Sequence, residues 1–187
     1  MIKDIKKYLD ELRNISNLIN CGDLESFLHH ITKLKNTNRR LFIVGVGGSA
    51  ANASHAVNDF RKILGIETYS PLDNVAELTA RINDDGWDTS LSSWLRTSKI
   101  NKGDCLLVFS VGGGSEHTSQ NLVKAMKLAK DKEATVLSVV SRSGGIAKEV
   151  SDCCVMIPVV NETTITPHAE EWQGIVWHMA MAILGEK

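Results

Sequence analysis

The sequence lacks three features that would assign a chain to a broad class at once. Neither charge is in excess, because 21 Lys and Arg residues face 22 Asp and Glu residues, so no partner such as nucleic acid or an anionic membrane is expected. No apolar run is long enough to span a bilayer and no signal-peptide pattern opens the chain, which predicts a cytoplasmic location. The four cysteines have no CxxC spacing, which favours reduced thiols over a disulfide or a cysteine-type zinc site.

The 187 residues, 43% of them hydrophobic, suffice for one globular domain with a sizeable core. Apolar residues at helical spacing predict two helices within residues 1–40, separated by a break at 20–22. Beyond them, short apolar runs alternate with helical stretches, the pattern of a parallel sheet covered on both faces. Strands are predicted at 41–44, 67–70, 105–109, 135–140 and 154–157. Further helices are predicted at 49–64, 75–82, 89–99, 119–130, 145–149 and 168–184.

A glycine-rich turn, 45–49 (GVGGS), leads from the first predicted strand into a helix. In a doubly wound sheet this turn lies at the carboxyl edge, where backbone N–H groups and the helix N-terminus can hold a phosphate. Gly47 and Gly48 let the backbone approach an anion, and Ser49 can cap the helix and donate to the ligand. The third glycine of a dinucleotide fingerprint would fall at Ala50, and no acidic residue closes the second strand, so NAD is not favoured.

A second turn of the same design, 110–115 (SVGGGS), follows a later strand. Two such turns on adjacent strands favour a phosphate site over a pair of structural loops. A third turn, 141–145 (SRSGG), is interpreted as a structural cap. The predicted phosphate-binding residues are Gly47, Gly48, Ser49, Ser110, Gly112, Gly113, Ser115 and Ser119.

Ionisable residues cluster on two of the predicted helices. His55 and Asp59 are four apart and share a face of the helix that the first turn begins. Glu170 and His178 are eight apart on the last helix and share a side of it. On spacing alone, the first pair could be an ordinary surface pair, or all four residues could form a metal site or an acid–base pair.

The order of the three turns resembles that of the sugar isomerase (SIS) domain, and more closely that of the phosphoheptose isomerases, over nearly the whole chain. Those enzymes convert sedoheptulose 7-phosphate to D-glycero-D-manno-heptose 7-phosphate for surface glycans. The resemblance implies a three-layer αβα sandwich with a five-stranded, parallel, flavodoxin-like sheet, and a single SIS domain over residues 1–187. It also implies a homotetramer with shared active sites, in which the helices of residues 1–40 pack at the interface.

The resemblance also implies roles for individual residues. The family carries histidine, glutamate, glutamine and histidine where this chain has His55, Asp59, Glu170 and His178. Asp59 and His178 would exchange protons with the sugar through an enediol, and the four positions together would hold Zn²⁺ in members that bind it. The segment 83–87 (NDDGW) adds Asp84 as a catalytic residue that contacts substrate hydroxyls or assists ring opening, with an Asx-type turn as the structural alternative.

The chain departs from the family pattern at several of these positions. Asp59 is one methylene shorter than the glutamate of the family, and Glu170 stands where glutamine is usual. Val46, Val111 and Gly112 replace polar residues of the two turns, so hydrogen-bond donors shift from side chains to the backbone. Two alternatives to a phosphoheptose isomerase therefore stay open. One is a non-catalytic sugar-phosphate sensor, like the SIS-domain partner of the replication initiator DnaA, and the other is an isomerase of another ketose phosphate.

Overall fold

The computed structural model describes residues 1–185, and a parallel sheet of five strands lies at its centre. The spatial order is β2-β1-β3-β4-β5, the order of flavodoxin-like folds, so the predicted fold class is confirmed. Each of the five predicted strands is present within one or two residues of its expected ends. The strands are β1 Leu41–Val44, β2 Thr68–Tyr69, β3 Cys105–Phe109, β4 Thr135–Val140 and β5 Cys153–Met156.

Helices cover both faces of this sheet. They are α1 Ile2–Leu18, α2 Cys21–Lys35, α3 Gly48–Lys62, α4 Val75–Asp85, α5 Ser90–Thr97, α6 Gln120–Asp131, α7 Gly145–Val150 and α8 Ile165–Leu184, with a short 3-10 turn at Glu162–Thr164. Within residues 1–185, no helix combines the length and the apolar character that crossing a bilayer requires.

Alternate side chains of each strand supply two separate cores, because successive residues of a strand point to opposite faces. Leu41 and Ile43 of β1 pack into a core with α2, α3 and α8, whereas Phe42 and Val44 pack into a core with α5, α6 and α7. All four of these side chains are at most 1% exposed. Burial on both faces explains why the strands are continuous apolar runs in the sequence.

Several helix boundaries differ from the sequence prediction, and three of them have a clear local reason. α2 begins at Cys21 because the side chain of Asn20 accepts a hydrogen bond from Gly22 N at 2.8 Å and so caps the helix. α4 continues to Asp85 and ends at Gly86, whose φ of 81° is favourable for glycine. α8 begins at Ile165, so Pro167 lies in its first turn, where the backbone needs no N–H donor.

Candidate functional site

The turn after β1 brings the start of α3 against α8. Gly47 has a φ of 65°, and α3 begins at the next residue. A Cβ at Gly48 would lie 2.3 Å from Glu170 Oε2, so a larger residue at this position would displace the carboxylate of Glu170. Ser49 is 2% exposed and its Oγ accepts a hydrogen bond from Gln173 Nε2 at 3.0 Å. The two helices are therefore fixed to each other at the carboxyl edge of the sheet.

The turn after β3 lies beside it, because β1 and β3 pair in register from Leu41 with Cys105 to Val44 with Val108. Within this second turn, Ser110 Oγ accepts a hydrogen bond from Gly113 N at 3.0 Å. The turn ends at Ser119, which has a φ of 54° and directly precedes α6.

The two turns line one cavity of about 430 Å³, which we call the serine cavity. It contains five of the predicted phosphate-binding residues, including both Ser115 and Ser119. Gly47, Gly48 and Gly113 shape the turns without lining the cavity. The lining residues are Val46, Ser49, Ser110, Val111, Gly112, Gly114, Ser115, Thr118, Ser119, Arg142 and Thr166.

Helix geometry makes the serine cavity suitable for an anion. Ser49 lies in the first turn of α3, Ser119 directly precedes α6, and Thr166 lies in the first turn of α8. The first N–H groups of a helix have no partner within the helix, and its N-terminus carries a partial positive charge. Three helices thus begin around one hydroxyl-lined space, which is an arrangement that favours phosphate.

The ionisable residues converge further along the same two helices. Asp59 Oδ2 lies 3.5 Å from His55 Nε2 and 3.4 Å from His178 Nε2. Trp177 Nε1 donates to the same oxygen at 3.1 Å, and Asn58 Nδ2 donates to the other carboxylate oxygen at 3.0 Å. Asp59 is only 7% exposed, so its carboxylate is held in a fixed orientation between the two histidines.

The same three residues could hold a metal ion. One ligand atom each from His55, Asp59 and His178 lie within 4.8 Å of one another. Two imidazoles and one carboxylate are a ligand set that suits a catalytic zinc with a fourth position left open. Glu170 is not part of this group, because its carboxylate lies against Gly48 at the start of α3. It does line the same surface cleft as His55 and His178, of about 440 Å³.

Asp84 lies apart from these residues. It is exposed in the last turn of α4, where its carboxylate accepts a hydrogen bond from Asn83 Nδ2 at 2.7 Å. It lines neither the serine cavity nor the cleft that contains His55 and His178. A role for Asp84 in catalysis stays a prediction.

Two polar side chains that the sequence did not mark as site residues hold the site together. Asn52 Nδ2 on α3 donates to Glu170 O at 2.8 Å and to Gln173 Oε1 at 2.9 Å, which links the two helices. Trp177 orients the carboxylate of Asp59 through its indole N–H. Only their position in the sequence could have indicated this role, since Asn52 and Trp177 each lie within one helical turn of a predicted site residue.

A partly buried hydrogen-bond network ties α1 to the start of α8. His168, 2% exposed, contacts Glu11 Oε2 through Nε2 at 2.9 Å and Glu171 Oε2 through Nδ1 at 3.0 Å. Tyr8 OH donates to Glu171 Oε1 at 2.6 Å, and burial raises the pKa of Tyr8 to about 12. Hydrogen bonds from His168, Asn161 and Thr164 lower the pKa of Glu11 from 4.5 to about 2.

The lowered pKa of Glu11 predicts a specific loss of stability in acid. The ionised carboxylate stabilises the fold fully above pH 4.5, and this contribution is lost as the pH falls from 4.5 towards 2. Urea unfolding of wild type and Glu11→Gln across this range should therefore give two curves that converge as the pH falls. Asp10→Asn, at an exposed neighbouring carboxylate, is the matched control and should run parallel to wild type. A Glu11→Gln curve that also stays parallel would refute this assignment.

Sheet and turns together define an α/β protein with a cavity suited to a small anionic ligand at the carboxyl edge of the sheet. A family model described as the SIS domain matches residues 7–141, more than half of the chain. The chain therefore belongs to the SIS domain family.

Its relatives specify the activity further. Phosphoheptose isomerase 2 of Campylobacter jejuni is 29% identical over 188 aligned residues, which cover 98% of this chain and 87% of the relative. A phosphoheptose isomerase of Helicobacter pylori is 28% identical over 83% of this chain and 79% of its own length. The solved structure of a phosphoheptose isomerase from Francisella tularensis superposes with a TM-score of 0.84 at 19% identity, over 98% of this chain and 97% of that one, and so shares the fold. The two isomerases of Campylobacter jejuni and Helicobacter pylori make the chain an enzyme of the sugar-phosphate isomerase class.

Proposed function

We propose that the protein converts sedoheptulose 7-phosphate to D-glycero-D-manno-heptose 7-phosphate, an aldose that supplies heptose for a surface glycan. The observation that carries the proposal is the convergence of His55, Asp59 and His178 on the two helices that also begin at the serine cavity. The names of the relatives support the choice of a heptose phosphate. They also favour an enzyme over a non-catalytic sugar-phosphate sensor.

The serine cavity binds the phosphate group of the substrate in this proposal. Backbone N–H groups at the starts of α3 and α6, together with the hydroxyls of Ser49, Ser110, Ser115 and Ser119, hold the phosphate oxygens. His55 lies six positions after Ser49, which is about 9 Å along the axis of α3. Such a distance suits a sugar phosphate with several carbons between the phosphate and the reacting end.

Asp59 and His178 move the protons. An aldose–ketose isomerase removes a proton from the carbon beside the carbonyl group and returns one to the neighbouring carbon through an enediol. Asp59 takes the carbon-bound proton as a carboxylate, and Trp177 and Asn58 keep its oxygens in place. His178 accepts and returns the proton of the substrate oxygen next to the reacting carbon. Its Nε2 lies 3.4 Å from the carboxylate of Asp59, so both side chains can act on the same end of the substrate.

Zn²⁺ fits the donor set of His55, Asp59 and His178, with Glu170 able to join only if its side chain leaves Gly48. A bound Zn²⁺ supplies Lewis-acid polarisation of the substrate oxygens. Asp59 cannot be fully committed to a metal and also accept a proton. The relative contributions of metal binding and proton transfer at this carboxylate therefore decide whether added Zn²⁺ raises or lowers the rate.

The proposed assembly is a cytoplasmic homotetramer with active sites shared between subunits. Apolar side chains of α1 that have no cover within one chain support it: Ile2, Ile5 and Leu9 are 73%, 54% and 52% exposed. These residues and other exposed positions of α1 and α2 would pack against a neighbouring subunit.

Incubation of the purified protein with sedoheptulose 7-phosphate, followed by NMR, tests the function. The chelator-treated protein and the same protein with added Zn²⁺ are assayed in parallel, with fructose 6-phosphate as a second ketose phosphate. We expect the heptose aldose to form in at least one metal condition and the heptose to be preferred. No aldose under either condition would refute the proposal, and a preference for the shorter ketose would assign the activity to another substrate.

A further inference from the structure

The turn between β4 and α7, residues 141–145, is fixed to the edge of the serine cavity. Ser141 N donates to Val111 O at 2.9 Å, and Ile146 N donates to Gly114 O at 3.0 Å. The hydroxyl of Ser141 donates to Ile157 O at 2.9 Å on the other side of the turn. The backbone of this turn is therefore held in a constant position relative to the second glycine turn.

Arg142 lies in this turn with an unusual backbone conformation. Its φ is 55°, a left-handed value that side chains with a Cβ adopt at an energetic cost and that glycine or asparagine adopts more easily. Strain of this kind persists only where the surrounding structure enforces it, and it is concentrated at functional sites.

The side chain lies at the serine cavity. Arg142 is one of its lining residues, and a Cβ built on Gly112 would lie 3.9 Å from Arg142 Cδ, so the arginine passes over the second glycine turn. All other lining residues are uncharged, and within residues 1–185 no carboxylate lies within 4.0 Å of the guanidinium. The guanidinium is exposed at the cavity edge and keeps its five N–H donors available for a ligand.

We propose that Arg142 binds the phosphate group of the substrate and supplies the one full positive charge of the serine cavity. A guanidinium can form two parallel hydrogen bonds to a phosphate, whereas the hydroxyls and helix N-termini offer only partial charges. In this chain Val111 and Gly112 contribute no polar side chain to the second turn, and the arginine above them compensates for that. The inference rests on the proposed function, because it takes the ligand of the cavity to be a sugar phosphate.

Arg142→Asn removes the charge and keeps a residue that tolerates left-handed φ, so the fold of the turn should survive. We expect the Kd for inorganic phosphate and the KM for the sugar phosphate to rise roughly 10- to 100-fold, the loss of one charge-assisted hydrogen-bonded pair. The kcat should stay within about 3-fold, because phosphate binding is equal in ground and transition states. Arg142→Lys should give an intermediate Kd, since it keeps the charge and loses the planar fork.

Lys148→Gln is the matched control. Lys148 is an exposed cation of α7 that does not line the cavity, and its loss changes the net charge by the same amount. Its Kd for inorganic phosphate should stay within about 2-fold of wild type, as expected for a screened charge outside the site. Arg142→Gly provides a second uncharged variant that relieves the backbone strain, so its melting temperature should not fall.

The results of these binding and activity measurements distinguish a wrong assignment of Arg142 from a wrong proposed function. If Arg142→Asn and Arg142→Gly both bind phosphate as wild type does, or if wild type does not bind phosphate, the assignment of Arg142 is wrong. If both variants bind phosphate more weakly while wild type isomerises no ketose phosphate, the assignment of Arg142 stands and the proposed function fails. An equal effect of Lys148→Gln would reduce the role of Arg142 to general electrostatics and overturn the proposal.

Discussion

Asp59→Asn is expected to lower kcat/KM by about 100- to 10,000-fold, the range that a positioned acid or base contributes. The change removes the negative charge and the proton-accepting ability of the carboxylate. It keeps an oxygen that can accept the hydrogen bond from Trp177 Nε1, so the packing around this buried position is retained. Steady-state kinetics with the sugar phosphate measure the effect, and the Kd for inorganic phosphate should change little because the serine cavity is intact.

Asp73→Asn is a suitable control for this result. Asp73 is an exposed carboxylate beside α3, the helix that carries Asp59, and its Oδ1 accepts a hydrogen bond from Ser54 Oγ at 2.8 Å. It lines neither the serine cavity nor the cleft that contains His55 and His178. The control variant should retain kcat/KM within about 2-fold of wild type, as is usual for a surface substitution. A similar loss in both variants, or near-normal activity of Asp59→Asn, would contradict the assignment of Asp59 as the base.

Gly113→Ala should cause the largest loss of stability among single substitutions in the turns. Gly113 has a φ of 73°, and a Cβ there would lie 1.9 Å from Gly144 O, a backbone atom that cannot move without opening the 141–145 turn. Left-handed strain and steric overlap together should reduce the free energy of unfolding by about 3 to 5 kcal/mol. Phosphate binding should weaken as well, because Gly113 N also holds the hydroxyl of Ser110 at 3.0 Å.

Gly65→Ala separates the two causes of this loss. Gly65 has a comparable φ of 68°, but no heavy atom lies within 4 Å of the Cβ position. Its substitution should cost only about 1 kcal/mol, the strain of a left-handed residue with a side chain. Urea unfolding measures both variants, and equal losses would mean that the contact between the two turns contributes nothing to stability.

The strands could be predicted because parallel strands buried on both faces are short apolar runs between turns. β1 and β3, with every residue buried, have the predicted bounds. Helix ends were less predictable, since they depend on single side chains. The side chain of Asn20 caps α2, so the helix begins at Cys21, within the break predicted at 20–22. Asp84 was expected in the active site or in a turn before α5, and it lies in the last turn of α4, because that helix continues to Asp85.

The candidate site was predictable where its residues share one element. Helical spacing brings His55 and Asp59 together, and their 3.5 Å contact follows from the i,i+4 pattern. The position of Glu170 against Gly48 depends on how α8 packs on α3, which no local pattern specifies. Arg142 was interpreted as part of a structural turn, because its proximity to the cavity depends on the pairing of β3 with β4.

The most direct test of the account is isomerisation of sedoheptulose 7-phosphate in D₂O, with the product analysed by NMR. Proton removal by Asp59 and return through an enediol predict an aldose that carries deuterium at C2, since the abstracted proton can exchange with solvent. Asp59→Asn should give little aldose of either kind. Failure to form the aldose, or aldose formation by Asp59→Asn at a rate close to that of wild type, would contradict the proposed proton transfer.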